Sequence, residues 1–210
     1  MTEIPALIAA FTTLFIIIDP PGLAPLFVAL TQGMTSAQRR TIALRACIIA
    51  GALMLAFLFL GEALLGFIGI SMPAFRIAGG ILLFLTALEM LFQKRQARRQ
   101  ENADEGASEH HDDPSVFPLA LPLIVGPGAI TTIILLAGQA SSALDFAAIA
   151  GVMFAVLCFV FISFLVATPL DRMLGKTGIN IVTRVLGMLL AALAIQFILD
   201  GIAQSFGIGA

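Results

Sequence analysis

Two short strings hold residue types that could do chemistry inside a membrane: Asp19-Pro20-Pro21-Gly22 and Gly126-Pro127-Gly128. Each interrupts an apolar run long enough to cross a bilayer. Proline has no N–H, and a helix broken at membrane depth frees backbone groups for which lipid offers no partner. Such breaks persist where protein, water or a ligand supplies one, and a pair of them in corresponding halves of a chain points to a transporter's binding site. Pro20 drives Asp19 out of helical backbone geometry, and Asp19 then stands as the N-cap of a second half-helix led by proline. Asp19 is also the candidate ion-coupling carboxylate, since a charge at mid-membrane costs at least ~2.5 kcal/mol on insertion scales. The two roles are compatible.

The second break has no acidic cap. The amides that follow it remain free to meet a carboxylate at the positive end of a helix. The glycines admit a ligand to the backbone, and Thr131 or Thr132 adds a hydroxyl. The candidate substrate-binding residues are therefore Pro21, Gly22, Gly126, Pro127, Gly128, Thr131 and Thr132. The alternative is a packing kink satisfied by neighbouring spans. Arg76 and Arg184 each stand about one turn inside an apolar span, where a charge needs a partner. Arg76 falls near Glu62 and Asp200, and Arg184 near Glu89, so ion pairs from these sets are expected to act as gates. Snorkelling to lipid headgroups is the competing reading. Gly79, Gly80 and Gly187 suit close helix packing.

The elements that must position these residues follow from composition. Of 210 residues, 60% are apolar and 11% charged, with a mean hydropathy of +1.05. A soluble domain carries about 25% charge, so the bilayer is the expected solvent. The net charge of −2 points to no nucleic acid. Six spans are expected: Ile4 to Leu30, Thr41 to Leu65, Met72 to Phe92, Val116 to Gly138, Phe146 to Pro169 and Ile181 to Phe206. The first lacks a positive flank and is too long for a signal-peptide core, so it reads as a retained span. Gln93 to Pro114 opens basic, turns acidic and lacks apolar periodicity, which predicts a mobile linker. Its His110-His111 pair has no further ligands at useful spacing, so no metal is expected. Arg39, Arg40, Lys94, Arg95, Arg98, Arg99, Arg172 and Lys176 all fall in loops of one side, which predicts a cytoplasmic linker and both termini outside.

Sliding the second half back by about 107 residues lays Pro127-Gly128 on Pro21-Gly22 and Arg184-Val185-Leu186-Gly187 on Arg76-Ile77-Ala78-Gly79, as an internal repeat would. Three spans per half is an odd number, so the second half must insert upside down. The predicted fold class is all-α integral membrane: six transmembrane helices as a 3+3 inverted repeat with broken helices 1 and 4. Its units are 1–92, the linker 93–115, and 116–210. The inversion brings both breaks towards the bilayer midplane.

The strings Asp19-Pro20-Pro21-Gly22-Leu23-Ala24-Pro25-Leu26-Phe27, Phe75-Arg76-Ile77-Ala78-Gly79-Gly80, Pro118 to Thr132 and Thr183-Arg184-Val185-Leu186-Gly187 resemble the MarC family of bacterial inner-membrane proteins. The resemblance covers essentially the whole chain. It implies a multi-pass inner-membrane carrier of small neutral amino acids such as glycine and alanine, coupled to an ion gradient, with the substrate pocket at Pro21-Gly22 and Pro127-Gly128. The expected partners are a small zwitterionic amino acid and the lipid bilayer. No cofactor is expected beyond a coupling proton or sodium ion. Three other readings compete. A redox carrier would use Cys47 and Cys158, but neither lies at a break and their spacing misses the repeat. An intramembrane hydrolase needs a Ser–His or paired-Asp arrangement at depth, which the sequence does not offer. A structural or regulatory membrane protein is the third.

Overall fold

Apolar spans in lipid must satisfy every backbone group internally, and the chain does so with helices. In a computed structural model, residues 4–108 and 113–207 are described, and they contain no strand. The elements are α1 (Ile4–Ile18), α2 (Pro20–Leu30), α3 (Ser36–Ile68), α4 (Met72–Leu91), α5 (Lys94–Ser108), an irregular segment (Ser115–Ile124), α6 (Pro127–Ala137), α7 (Ala143–Leu165) and α8 (Ala167–Phe206). Five stretches are long and apolar enough to cross a membrane: Ile4–Leu30, Ser36–Ile68, Met72–Leu91, Ala143–Leu165 and Thr177–Phe206. The irregular segment and α6, bent by 61° at Gly126, make a sixth if counted as one span. The His110-His111 pair lies outside the described residues.

Local signals set the helix ends. Thr35 and Gln38 form a reciprocal capping box at the start of α3, which stops at Gly69 in the left-handed region. Ser71 and Ser142 cap α4 and α7. In α8, Gly175 adopts φ 57 and turns the chain before the span Thr177–Phe206.

The broken elements occupy the middle. Along α6, every residue from Thr131 to Ala137 is buried, and so are Ile16, Ile17 and Ile18 at the end of α1. The longer helices surround them and turn Ile48, Phe59, Phe67, Leu189 and Leu199 outward, as lipid-facing side chains require. With lipid outside there is little hydrophobic drive between helices, so close backbone approach holds them together. Glycines supply it where α4 crosses α8. A Cβ on Gly80 would lie 2.6 Å from Ile198 Cγ1 and 2.8 Å from the Ala194 carbonyl oxygen. One on Gly187 would lie 2.8 Å from Met90 Cβ, and one on Gly201 3.0 Å from the Pro73 carbonyl. Gly79 instead faces α6, where a Cβ would meet Thr131 Cγ2 at 2.5 Å. Gly80→Val is expected to destabilise the protein by about 1–3 kcal/mol, more than the few tenths gained in helix propensity. Thermal unfolding in detergent reads this, and an unchanged Tm would mean the seam has slack.

One expectation fails. The polar stretch after α4 is not a mobile linker over its whole length: Lys94–Ser108 is helical. Its arginines, spaced four apart, share a face that docks on the bundle.

Candidate functional site

The first break follows from its prolines. In a continuous helix the carbonyls of Ile16 and Ile17 would accept from the N–H groups of residues 20 and 21, and both are proline. Asp19 takes a left-handed conformation, φ 57 and ψ 65. It is fully buried, at 0% exposure. Its Oδ1 accepts from the Gly22 N–H at 3.2 Å, which is the predicted N-cap. That carboxylate folds over Gly22, where a Cβ would come within 2.1 Å of Oδ2. Only glycine fits.

Helix α5 fills the rest of the break. Arg99 Nη1 donates to Asp19 Oδ2 at 3.0 Å and Nη2 to the Ile18 carbonyl at 2.9 Å. Arg95 donates to the Ile17 carbonyl. Gln96 Nε2 reaches the Gly22 carbonyl at 3.4 Å. Arg95 and Arg99 are only 7% and 5% exposed. Burial, reinforced by neighbouring Arg99, pulls the Arg95 guanidinium down to about 9, so it remains cationic at neutral pH.

The second break lines a cavity of about 350 Å³. Its walls include Ile17 from α1, Thr86 and Glu89 from α4, Arg95, Arg98 and Arg99 from α5, and Gly126 to Ala129. Gly126 is extended (φ −84, ψ 174) and no side chain caps α6. The amides of Gly128 and Ala129 have no acceptor within their own helix. A Cβ on Gly128 would meet Ile17 Cγ2 at 3.2 Å, so the two breaks touch through this pair. Before Gly126 the backbone is extended at Phe117 and Leu121, each preceding a cis-proline. The second break thus differs in form from the first. Arg98 pairs with Glu89 Oε1, while Glu89 Oε2 is enclosed and has no partner among the described residues.

The candidate residues separate on this geometry. Gly126, Pro127 and Gly128 line the cavity, whereas Pro21, Gly22, Thr131 and Thr132 are not among its walls. Thr131 packs its methyl against Gly79, and Thr132 is fully buried with an unpartnered hydroxyl. The expected ion pairs need correction. Glu89 pairs with Arg98, which reaches over from α5, and not with Arg184. Arg184 lies 3.0 Å (Nη2) and 3.3 Å (Nε) from the Gln93 side-chain amide, whose oxygen faces it. Asp200 accepts from Gln196 at 2.7 Å on its own helix. Arg76 is buried with Nε unpartnered, and neither it nor Glu62 makes an ion pair among the described residues. The composition-based reading missed Arg95, Gln96, Arg98 and Arg99. Their signal was the spacing 95, 98, 99 directly after a span, one face of a helix.

The model for MarC family integral membrane protein matches residues 4–206. The chain is 40% identical over 198 residues to a UPF0056 membrane protein of Archaeoglobus fulgidus, covering 93% of this chain and 92% of that one. It is 37% identical over 208 residues to the UPF0056 membrane protein YhcE of Escherichia coli, covering 97% and 95%. With YvbG of Bacillus subtilis the identity is 34% over 201 residues, covering 95% of each. These names state no activity. No solved structure matches.

Proposed function

We propose that this chain, which belongs to the MarC family of integral membrane proteins, is an ion-coupled secondary transporter of small neutral amino acids such as glycine and alanine. One observation carries the reading: the uncapped N-terminus of α6 lines the same cavity as Glu89, a carboxylate paired with Arg98 through Oε1. Amides at a helix N-terminus suit an α-carboxylate, and a carboxylate suits an α-ammonium. Arg99 is offset by Asp19 and Arg98 by Glu89, which leaves Arg95 as the surplus cation for the carboxylate end. The glycines at the break suit a substrate whose side chain is hydrogen or methyl. Alternating access would come from rearranging the two breaks within an inverted repeat, a reading supported by the packing of α3 on α7 and of α4 on α8. The arginine-rich side, with α5, would be cytoplasmic and both termini outside, in the inner membrane of a bacterium. No step of this cycle makes or breaks a covalent bond.

The test is uptake of radiolabelled glycine and alanine by the purified protein in liposomes, with imposed proton and sodium gradients. Accumulation under either gradient is expected. Failure under both would favour a membrane protein without amino acid transport. Glu89→Gln is expected to raise the KM for glycine about tenfold or more, because a hydrogen bond to a charged group is worth about 1.5–3 kcal/mol. An equal KM would remove Glu89 from the site.

A further inference from the structure

We infer that the Asp19 break is a binding site for an alkali metal cation, and that α5 is a tethered competitor that fills it with guanidinium. The break presents three oxygens to positive charge: the Ile17 and Ile18 carbonyls and Asp19 Oδ2. An all-oxygen set with one formal charge, built on carbonyls released by an interrupted helix, is the kind of site that takes a hard monovalent cation. Here the occupants are two arginines from outside the spans. Guanidinium is more weakly hydrated than an ammonium and enters such a site at a lower desolvation cost than lysine would.

The competition follows from where the arginines stand. Arg95 and Arg99 seal the break, and both also wall the cavity that holds the α6 amides. The cavity therefore cannot open on the α5 side unless α5 withdraws. Withdrawal would leave Asp19 a buried, unpaired anion, which membrane interiors do not tolerate. A cation arriving at the three oxygens replaces the lost charge and permits release. Cation uptake and opening are then one linked equilibrium. This ion site deepens the transport reading above, which it presupposes only in that α5 must move. Its test needs no transported substrate.

Gln96, on α5 itself, donates to the Gly22 carbonyl and is half-buried, so it reports release. In the full-length protein with Cys47→Ala and Cys158→Ala, Gln96→Cys is labelled with a maleimide in detergent. Sodium chloride is compared with choline chloride at constant ionic strength and pH. Labelling is expected to rise several-fold with sodium and to saturate. Arg99→Gln should speed labelling in choline and lower the sodium concentration for half-maximal effect, since the competitor is weakened. Asp19→Asn should abolish the sodium dependence. If Asp19→Asn does not fold, the saturable sodium effect and its shift in Arg99→Gln still decide. Equal labelling in sodium and choline overturns the inference. So does a response to pH alone, which would make Asp19 a proton site, or a sodium effect that persists unchanged in Asp19→Asn. Loss of glycine uptake with the sodium-dependent labelling intact would refute the transported substrate and leave the ion site standing.

Discussion

Arg99→Met is expected to cost about 3–5 kcal/mol of stability, the penalty for removing one partner of a buried ion pair. Methionine keeps much of the length and apolar volume of the arginine stem. What it removes is the guanidinium that donates to Asp19 Oδ2 at 3.0 Å and to the Ile18 carbonyl at 2.9 Å. The pair is almost wholly enclosed, at 6% and 0% side-chain exposure. Solvent therefore cannot take over either role. The double variant Arg99→Met with Asp19→Asn should recover most of the loss, because no orphan charge remains. Arg45→Met is the control. It breaks the Arg45–Asp113 pair, whose side chains are 61% and 39% exposed, and exposed pairs contribute about 0–1 kcal/mol. Thermal unfolding in detergent measures all three. Equal losses for Arg99→Met and Arg45→Met would show that the α5 contact is not buried in the working protein.

Gly128→Leu is expected to reduce glycine binding by at least about a hundredfold while the protein still inserts and folds. The first atom added already meets Ile17 Cγ2 at 3.2 Å and Leu83 Cδ2 at 3.5 Å. The rest of the leucine must displace α1 or enter the cavity in front of the α6 amides. Either path blocks a carboxylate from reaching them. Gly128→Ala should fall between, since its single methyl group is tight but within what neighbours can yield. Binding of labelled glycine to detergent-solubilised protein, with a monodisperse elution profile as the folding control, measures the effect. Normal binding by Gly128→Leu would move the site away from this break.

Much of the architecture was legible because lipid removes choices. A run such as Thr41 to Leu65 can only be a span, and the structure places a helix over it, longer at both ends because Thr35 and Gly69 set the ends. Asp19 was legible as a cap because Asp before two prolines has few other uses. The uncapped start of α6 was legible from Gly126 for the same reason. Other features were hidden. In Lys94–Ser108 the charges mask a helix that buries Arg95 and Arg99, and hydropathy has no symbol for an arginine that serves as core. The partner of Glu89 was sought along the same span register, at Arg184, whereas Arg98 arrives from α5. The extended residues Phe117 and Leu121 interrupt a stretch whose apolar content alone suggests a plain helix.

The glycine seam between α4 and α8 carries a consequence for motion. At Gly80, Gly187 and Gly201 the facing helix brings its side chains and carbonyls to within about 3 Å of where a Cβ would stand, which leaves little thickness there to slide. Shear between packed helices needs that thickness, so this pair is built to travel as one strut. The give must come from the short pieces enclosed by it, α1, α2 and α6. A rigid frame around jointed rods confines any rearrangement to small backbone rotations at Asp19 and Gly126, the two breaks in those rods.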